Sequence, residues 1–321
     1  MLISLLKLIF GAAFILIGAD LLTSGATQIA RRFKVSELLI GLTVVALGTS
    51  LPELTVSLLS ALEGKAEMAV GNVIGSNIFN TLVILGATAL ICPVRVSKQV
   101  IAKDIPWSIL AGLILLIVAS GHFINGDVNN VITRQSGLLM LCLFFVFIYY
   151  TILVAKAENT ESDDEEESIP FMPVWKILLF LVIGICGLVF GGDAFVDGAS
   201  QLAFLMGLSE SFVGITIVAA GTSLPELATS VVAALKHKSG MAIGNAIGSN
   251  IFNIFLILGV SSSITPLSMG SITIVDLLVQ LLCCVIVWFF ARTSYTLSRI
   301  EGALLLLMYG GYMTYLLIPV L

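Results

Sequence analysis

The sequence predicts an all-α membrane protein in which ten transmembrane helices form two five-helix repeats with inverted topology. Two observations lead to this prediction. The chain is strongly apolar, with 58% hydrophobic residues, 11% charged residues and a mean hydropathy of +1.11, which lies outside the usual range of soluble proteins. It also repeats itself, because the heptapeptide GTSLPEL occurs at residues 48–54 and again at residues 221–227.

Apolar segments that are long enough to cross a bilayer follow one another along the chain. A helix needs about 20 mostly apolar residues to span the hydrocarbon core, and the sequence contains ten such segments. They lie near residues 2–29, 36–62, 68–91, 105–121, 132–155, 174–204, 209–235, 241–263, 272–291 and 299–318. The first has no small-residue cleavage pattern, so we expect a span there rather than a signal peptide.

The internal repeat extends well beyond the heptapeptide. Residues 18–86 align with residues 191–259 at a constant offset of 173, and 37 of the 69 aligned pairs are identical. Such a match divides the chain into two related halves joined by an acidic linker. The predicted divisions are a first repeat at residues 1–156 with its motif at 41–86, a linker at 157–173, and a second repeat at 174–321 with its motif at 214–259.

Five spans per repeat is an odd number, so the second repeat is expected to enter the membrane in the opposite orientation. With alternating loops, twelve of the fifteen Lys and Arg residues fall on one side, which the positive-inside rule assigns to the cytoplasm. Both termini are then predicted outside and the acidic linker inside, in a plasma membrane of the bacterial inner-membrane type. Inverted repeats favour a carrier that works by alternating access, although some channels also have them.

Several classes of function are disfavoured by the reactive residues. The five cysteines lack the spacing of a zinc or redox site, and His122 and His237 are accompanied by no nucleophile motif or phosphate-binding loop. We therefore expect no enzymatic activity, no cofactor and no nucleic-acid partner. The lipid bilayer is the expected surrounding; the oligomeric state stays open, and a monomer is plausible.

Each GTSLPEL motif places a proline beside a glutamate in the middle of a span. Glu53 and Glu226 lie about midway along their spans, where a charged side chain costs roughly 3 kcal/mol or more and indicates a functional site. Pro52 and Pro225 have no N–H, so each frees the carbonyl four residues earlier, and such a break is tolerated where it is buried or lines an aqueous cavity. A pair of neutral, hydrogen-bonded acids that hold helices together is the structural alternative.

Oxygen-bearing side chains accompany the two glutamates at matching positions. The third spans carry GNVIGSNIFN and GNAIGSNIFN, whose glycines allow helices to approach closely. The candidate oxygen donors are Thr49, Ser50, Ser76, Asn80, Thr222, Ser223, Ser249 and Asn253. Carboxylate, amide and hydroxyl oxygens without sulfur or imidazole suit a hard cation such as Ca²⁺, which accepts irregular geometry. Hydrogen bonding within or between helices is the alternative role for the hydroxyls.

At these residues the sequence resembles the cation/calcium exchanger superfamily, and within it the sodium/calcium exchanger branch, whose repeats carry GTSLPE and GSN motifs. The resemblance covers both repeats and implies a ten-helix inverted-repeat fold. It also implies that Glu53 and Glu226 are central calcium ligands that sodium uses too, and that Asn80 and Asn253 complete the central position. The other implied sodium and calcium ligands are the side chains of Thr49, Ser50, Ser76, Thr222, Ser223 and Ser249 and the carbonyls of Ala46 and Ala219.

The chain departs from the family at one position of this set. Relatives of prokaryotic origin and of the potassium-dependent branch can carry aspartate where this chain has Asn253. The predicted site therefore has two carboxylates rather than three, which makes potassium dependence less expected.

The functional hypothesis is a secondary active antiporter that exchanges calcium for sodium by alternating access around a site at the membrane midplane. Calcium and sodium are then substrates bound at the central site, and no cofactor is expected. Antiport of calcium against protons or another cation, on the same fold, is the main alternative. A passive cation channel is the weaker one.

Overall fold

The computed structural model describes residues 1–121, 130–158, 172–206 and 219–317. Within these ranges the chain is helical apart from turns and four two-residue strands. The first half contains α1 (Leu2–Arg32), α2 (Glu37–Thr49), α3 (Leu51–Leu62), α4 (Ala66–Ile91), α5 (Val100–Val118) and α6 (Arg134–Glu158). The second half contains α7 (Val174–Leu205), α8 (Ala219–Gly221), α9 (Leu224–Leu235), α10 (Ser239–Ile264), α11 (Ile274–Ser294) and α12 (Arg299–Leu317).

Seven of the described helices are long and apolar enough to cross a membrane. An eighth span results if α2 and α3, which meet at an angle of 48°, are taken together as one bent helix. The predicted span near 209–235 lies partly outside the described residues, and α12 is not among the seven. The all-helical membrane architecture is therefore confirmed, while the count of ten spans stays a prediction.

The start of the fourth predicted span was placed five residues too late. The helix α5 begins at Val100 rather than near residue 105, with a π-helical turn over Val100–Asp104. Lys103 and Asp104 gave this turn a polar sequence, but Asp104 is buried while Lys103 stays exposed. Because the first turn contains charged residues, hydropathy alone placed the start of this span too late.

Two helices at the centre of the molecule have most of their apolar surface covered by protein. In α4 and α10, 72% and 89% of the most apolar 18-residue window is buried, against 28% in α1 and 22% in α7. Both central helices contain a π-helical stretch, Asn80–Ile84 in α4 and Phe252–Leu258 in α10. Such stretches occur frequently at functional sites.

The helices α1 and α7 pack against each other through backbone. Glycine recurs every seventh residue along each helix, which is about two turns and keeps it on one face. These glycines are Gly11, Gly18 and Gly25 in α1 and Gly184, Gly191 and Gly198 in α7. A Cβ on Gly18 would lie 2.8 Å from the carbonyl oxygen of Gly184, and a Cβ on Gly191 would lie 2.8 Å from the backbone nitrogen of Ile15. Side chains at these positions would separate the two helices.

Two antiparallel strand pairs join the halves of the molecule. Strand β1 (Val94–Arg95) pairs with β4 (Thr296–Leu297), and β2 (Val131–Ile132) pairs with β3 (Leu267–Ser268). Strands β1 and β3 follow the central helices α4 and α10, whereas β2 and β4 precede the last helix of each half. In each pair, the strand after the central helix of one half therefore bonds the strand before the last helix of the other half. The sequence did not predict these strands, because two residues are too few for an alternating pattern.

Candidate ion-binding site

The first GTSLPEL motif forms the junction between two helices. Ser50 lies between α2 and α3, and Pro52 occupies the first turn of α3, where its missing N–H removes no intrahelical bond. Proline therefore starts a new helix here rather than distorting the middle of one. Glu53 follows in the same first turn, fully buried, where the helix dipole favours a negative charge.

The second motif forms the corresponding junction between α8 and α9. Thr222 and Ser223 make the turn, and Pro225 occupies the first turn of α9. Glu226 is fully buried, like its counterpart in the first half. The two breaks differ in detail, since the N–H of Ser223 donates to the carbonyl of Ala220 at 3.2 Å, whereas that of Ser50 donates to Ala46, four residues back, at 3.0 Å.

The two junctions are bonded to each other crosswise. Ser50 Oγ donates to Glu226 Oε1 at 2.9 Å, and Ser223 Oγ donates to Glu53 Oε1 at 3.1 Å. Each serine of one repeat thus holds the carboxylate of the other repeat. The second oxygen of each carboxylate, Oε2, is buried and has no partner in the described part of the chain. Two buried carboxylate oxygens, one from each repeat, are therefore left without a partner within the described ranges.

The threonines lie beside the same carboxylates. Thr49 Oγ1 is 3.2 Å from Asn245 Oδ1 and 3.1 Å from the carbonyl oxygen of Val45, and it also lies near the Glu226 carboxylate. Thr222 Oγ1 is 3.5 Å from Asn72 Oδ1 and lies near the Glu53 carboxylate. A hydroxyl has one proton but two lone pairs, so each threonine keeps acceptor capacity toward a cation.

Asn72 and Asn245 hold the two junctions in place, and sequence reasoning did not select them. Asn72 Nδ2 donates to the Glu53 carbonyl at 3.4 Å and to Ser57 Oγ at 2.9 Å. Asn245 Nδ2 donates to the Glu226 carbonyl at 3.2 Å and to Ser230 Oγ at 3.0 Å. Their position in the GNxIGSN motif of both repeats was the available signal.

The helices α4 and α10 supply the remaining predicted residues. The four residues Ser76, Asn80, Ser249 and Asn253 are all at most 1% exposed. The hydroxyls of both serines and both polar atoms of Asn80 have no partner among the described residues. Ser249 lies near the Glu226 carboxylate. Asn253 donates through Nδ2 to Asn77 Oδ1 at 3.0 Å, and its Oδ1 has no partner within the same ranges.

The two carbonyls that the resemblance implied belong to Ala46 in α2 and Ala219 in α8. The Ala46 carbonyl accepts the Ser50 N–H at 3.0 Å, and Thr49 Oγ1 lies 3.4 Å from the same oxygen. Ala219 is the first residue of α8. Both alanines lie about one helical turn before the serine of their motif, Ser50 or Ser223.

The arrangement has the chemistry of a hard-cation site with few charges. Buried polar groups without partners are rare in folded proteins and need an explanation. Within the described ranges such atoms occur on both glutamates and on Ser76, Asn80, Ser249 and Asn253. No group of three or more His, Cys, Asp or Glu side chains suited to a metal occurs in the described ranges. A cation in this site would therefore meet two carboxylates and several neutral oxygens.

Charged residues outside the site form ion pairs between elements. Lys236 Nζ lies 2.7 Å from Asp20 Oδ1 and 3.0 Å from Ser24 Oγ, which links α9 to α1. Lys7 pairs with Asp197, and Lys238 pairs with Glu37 at 2.5 Å.

Further polar and reactive residues lie partly inside and partly outside the described part of the chain. Ser36 caps α2, accepting the Leu39 N–H at 3.2 Å, as a helix start requires. The five cysteines are unpaired thiols. His122 and most of the acidic linker lie outside the described residues.

The chain is similar to known exchangers over almost its whole length. It matches the family described as "Sodium/calcium exchanger protein" over residues 3–153 and 176–318. It is 35% identical over 323 residues to a putative antiporter, CaxA, of Alkalimonas amylolytica, covering 97% of this chain and 98% of that protein. It is 31% identical to the sodium/calcium exchanger MaX1 of Methanosarcina acetivorans, with 98% of each chain covered.

Solved structures give the same result. A structure of the sodium-calcium exchanger NCX_Mj, soaked with 10 mM Na⁺ and 10 mM Sr²⁺, superposes with a TM-score of 0.83 at 32% identity and covers 98% of each chain. Another structure of the same exchanger, without Na⁺ and Ca²⁺, also gives a TM-score of 0.83. Sequence and structure agree on a membrane antiporter: the chain belongs to the sodium/calcium exchanger family.

Proposed function

We propose that this protein exchanges calcium for sodium across a membrane, by alternating access around a buried site that contains Glu53 and Glu226. One observation supports this proposal more than any other. The reciprocal bonds from Ser50 to Glu226 and from Ser223 to Glu53 bring carboxylates of both repeats into one site, with an oxygen of each left without a partner among the described residues. The matching relatives named as sodium/calcium exchangers support the choice of ions.

The donor set favours calcium among divalent cations. Calcium takes six to eight oxygen ligands at 2.3–2.6 Å in flexible geometry, whereas magnesium requires a near-ideal octahedron and keeps several waters. The proposed ligands are the side chains of Glu53, Glu226, Thr49, Ser50, Ser76, Asn80, Thr222, Ser223, Ser249 and Asn253, with the carbonyls of Ala46 and Ala219. Most of these oxygens are uncharged, which also suits sodium.

Coupling follows from the charge of the empty site. Two buried carboxylates repel each other and have lost their hydration, so the empty site is costly when both are ionised. One calcium ion neutralises both charges, and sodium ions can do the same. Because the two ions use the same carboxylates, they compete, and each must leave before the other binds. The repeats then rearrange with the site filled, which links the two ion movements.

The strand pairs support an inverted arrangement of ten spans. In the predicted topology six spans separate β1 from β4, and four separate β2 from β3. Both numbers are even, so paired strands fall on the same side of the membrane, as their pairing requires. The side with β1 and β4 carries Arg95 and Arg299 and would face the cytoplasm. Both termini would then be outside, in a plasma membrane.

Ion flux into proteoliposomes tests the proposed exchange. Vesicles loaded with sodium and diluted into sodium-free medium should take up radioactive calcium, and vesicles with equal sodium on both sides should not. Uptake that follows a proton gradient and ignores sodium would replace the proposal with calcium/proton antiport. Calcium flux down its own gradient without any counter-ion would indicate a channel. Magnesium supplied in place of calcium should not be taken up by the vesicles.

A further inference from the structure

Two asparagines at matching positions of the repeats make different contacts. Asn77 and Asn250 are both in GSN motifs and at most 3% exposed. Asn77 Oδ1 accepts a hydrogen bond from Asn253 Nδ2 at 3.0 Å. The corresponding bond in the other half, from Asn80 Nδ2 to Asn250 Oδ1, is not made, and neither atom has a partner among the described residues.

The orientation of the Asn77 amide is itself fixed. Its Nδ2 donates to the backbone carbonyl of Asn250 at 3.3 Å, across the interface between α4 and α10. With its nitrogen directed at a carbonyl, its oxygen is the atom presented to Asn253. An amide rotated by 180° would place a nitrogen against the Asn253 nitrogen and an oxygen against the Asn250 carbonyl, which would lose both bonds.

The bond to Asn77 determines which atom Asn253 presents to an ion. A carboxamide has one oxygen and one nitrogen on the two branches of a planar group. Because the nitrogen of Asn253 donates to Asn77, its buried oxygen is the amide atom that is left for an ion. A reversed amide would present a donor N–H₂ to the cation instead.

One sequence difference accompanies the asymmetry. Thr81 in α4 donates its hydroxyl proton to the Asn77 carbonyl at 2.8 Å and accepts from Asn250 Nδ2 at 2.8 Å. The matching residue in the second half is Ile254, which has no hydroxyl. Thr81 therefore holds the Asn250 amide by its nitrogen, whereas the nitrogen of Asn77 donates to a backbone carbonyl.

From these contacts we propose that Asn77 is a positioning residue that keeps the Asn253 oxygen toward the ion, while the Asn80 amide turns to suit the ion that is bound. This inference rests on the proposed function, because it assigns Asn253 to the ion site. The two mirror-related amides then have unequal roles: Asn253 is a preset oxygen ligand, and Asn80 is an adjustable one.

The first test is calcium affinity of the purified full-length protein, measured by titration calorimetry with calcium chloride. Asn77→Ala should weaken calcium binding about tenfold, because the Asn253 amide loses the bond that orients it. The matched control is Asn250→Ala, which truncates the mirror-related buried asparagine and should stay within about threefold of wild type. Equal losses in the two variants would overturn the proposal.

A second variant separates orientation from packing. Asn77→Asp keeps an acceptor for Asn253 but loses the donor to the Asn250 carbonyl. It should bind calcium at least as tightly as the wild type, since the Asn253 amide remains oriented. Binding as weak as that of Asn77→Ala would mean that the bond to Asn250, and not the orientation of Asn253, is what matters.

The decisive test is a double-mutant cycle with Asn253→Asp. An aspartate presents an oxygen in either rotation, so there is no amide left to orient. In this background Asn77→Ala should change calcium affinity by less than about twofold. The same tenfold loss in both backgrounds would assign Asn77 a packing role only. Melting midpoints without calcium report whether each variant folds.

The wild-type titration distinguishes a failure of the proposed function from a failure of this inference. If the wild type binds no calcium, the proposed function fails, and this inference fails with it. If the wild type binds calcium and Asn77→Ala stays within about threefold, the inference alone is overturned.

Discussion

The two repeats are closest in sequence where they meet and most different where they reach the surfaces of the molecule. Around the site, Glu53 and Glu226 are buried alike and are held by serines in the same crosswise way. Directly after Asn80, Thr81 bonds the Asn77 carbonyl and the Asn250 amide through its hydroxyl, and its counterpart, Ile254, has no hydroxyl. Symmetry of the carboxylates therefore coexists with asymmetry of the amides that surround them.

The matching helices α3 and α9 end in different surroundings. The helix α3 is followed by Gly64 at φ +77° and α9 by His237 at φ +60°. Beside them, Lys65 pairs locally with Glu63, whereas Lys236 reaches Asp20 in another helix. The two ends are predicted to face opposite sides of the membrane, so only the central part of each repeat has the same surroundings as its mate.

The largest effect is expected from the residues that the repeats share. Glu53→Gln and Glu226→Gln should each reduce sodium-dependent calcium uptake at least about 100-fold, because each removes one of two buried charges that balance the ion. Uptake is measured in proteoliposomes, with a melting curve to show that each variant folds. A large loss in one variant and near-normal uptake in the other would show that the two glutamates do not have equivalent roles.

A smaller effect should separate the two amides. Asn253→Asp adds a third carboxylate and removes the donor to Asn77. Because neighbouring carboxylates repel one another and favour the binding of a proton, uptake should fall further between pH 8 and pH 6 than in the wild type. The comparison variant is Asn80→Asp, which adds the same charge without losing a described bond. Its pH dependence should change less. Identical profiles would show that the difference between the amides has no functional consequence.

A change of about two- to fivefold in the exchange rate is expected from Lys236→Met. This lysine bonds Asp20 and Ser24, and the loss of a partly exposed pair corresponds to at most about 1 kcal/mol. Lys65→Met removes an exposed pair within one loop and should leave the rate unchanged. If both variants behave alike, the link between α9 and α1 does not affect exchange.

The smallest effect concerns stability. Gly64→Ala should cost about 1 kcal/mol, because a residue with a Cβ disfavours positive φ. His237→Gly relieves the same strain and should be neutral or stabilising by up to about 1 kcal/mol. Chemical unfolding of the purified protein measures both. A stabilised Gly64→Ala would contradict the backbone assignment.

The sequence predicted the parts of this structure that depend on long patterns. The apolar segments predicted the long helices, and the constant offset of 173 predicted that Glu53 and Glu226 have matching surroundings. The bend at Ser50 followed from Pro52, although the proline begins a helix rather than interrupting one. These features are set by local chemistry repeated over many residues, so they can be read without a structure.

Contacts between helices could not be predicted in the same way. Nothing in the order of residues showed that Ser50 would bond the glutamate of the other repeat, 176 positions away. The roles of Asn72 and Asn245 were missed because an asparagine beside a glycine has many uses. The difference between Asn77 and Asn250 depends on which amide atom faces which neighbour, and this is determined only by packing.

The most direct test of the shared site is to locate a bound ion in a crystal of this protein soaked with strontium, whose anomalous scattering marks its position. We expect a strong peak within about 2.7 Å of carboxylate oxygens from both Glu53 and Glu226. A peak bound by only one of the two glutamates, or strontium found only at the surface, would contradict the claim that both repeats build one ion site.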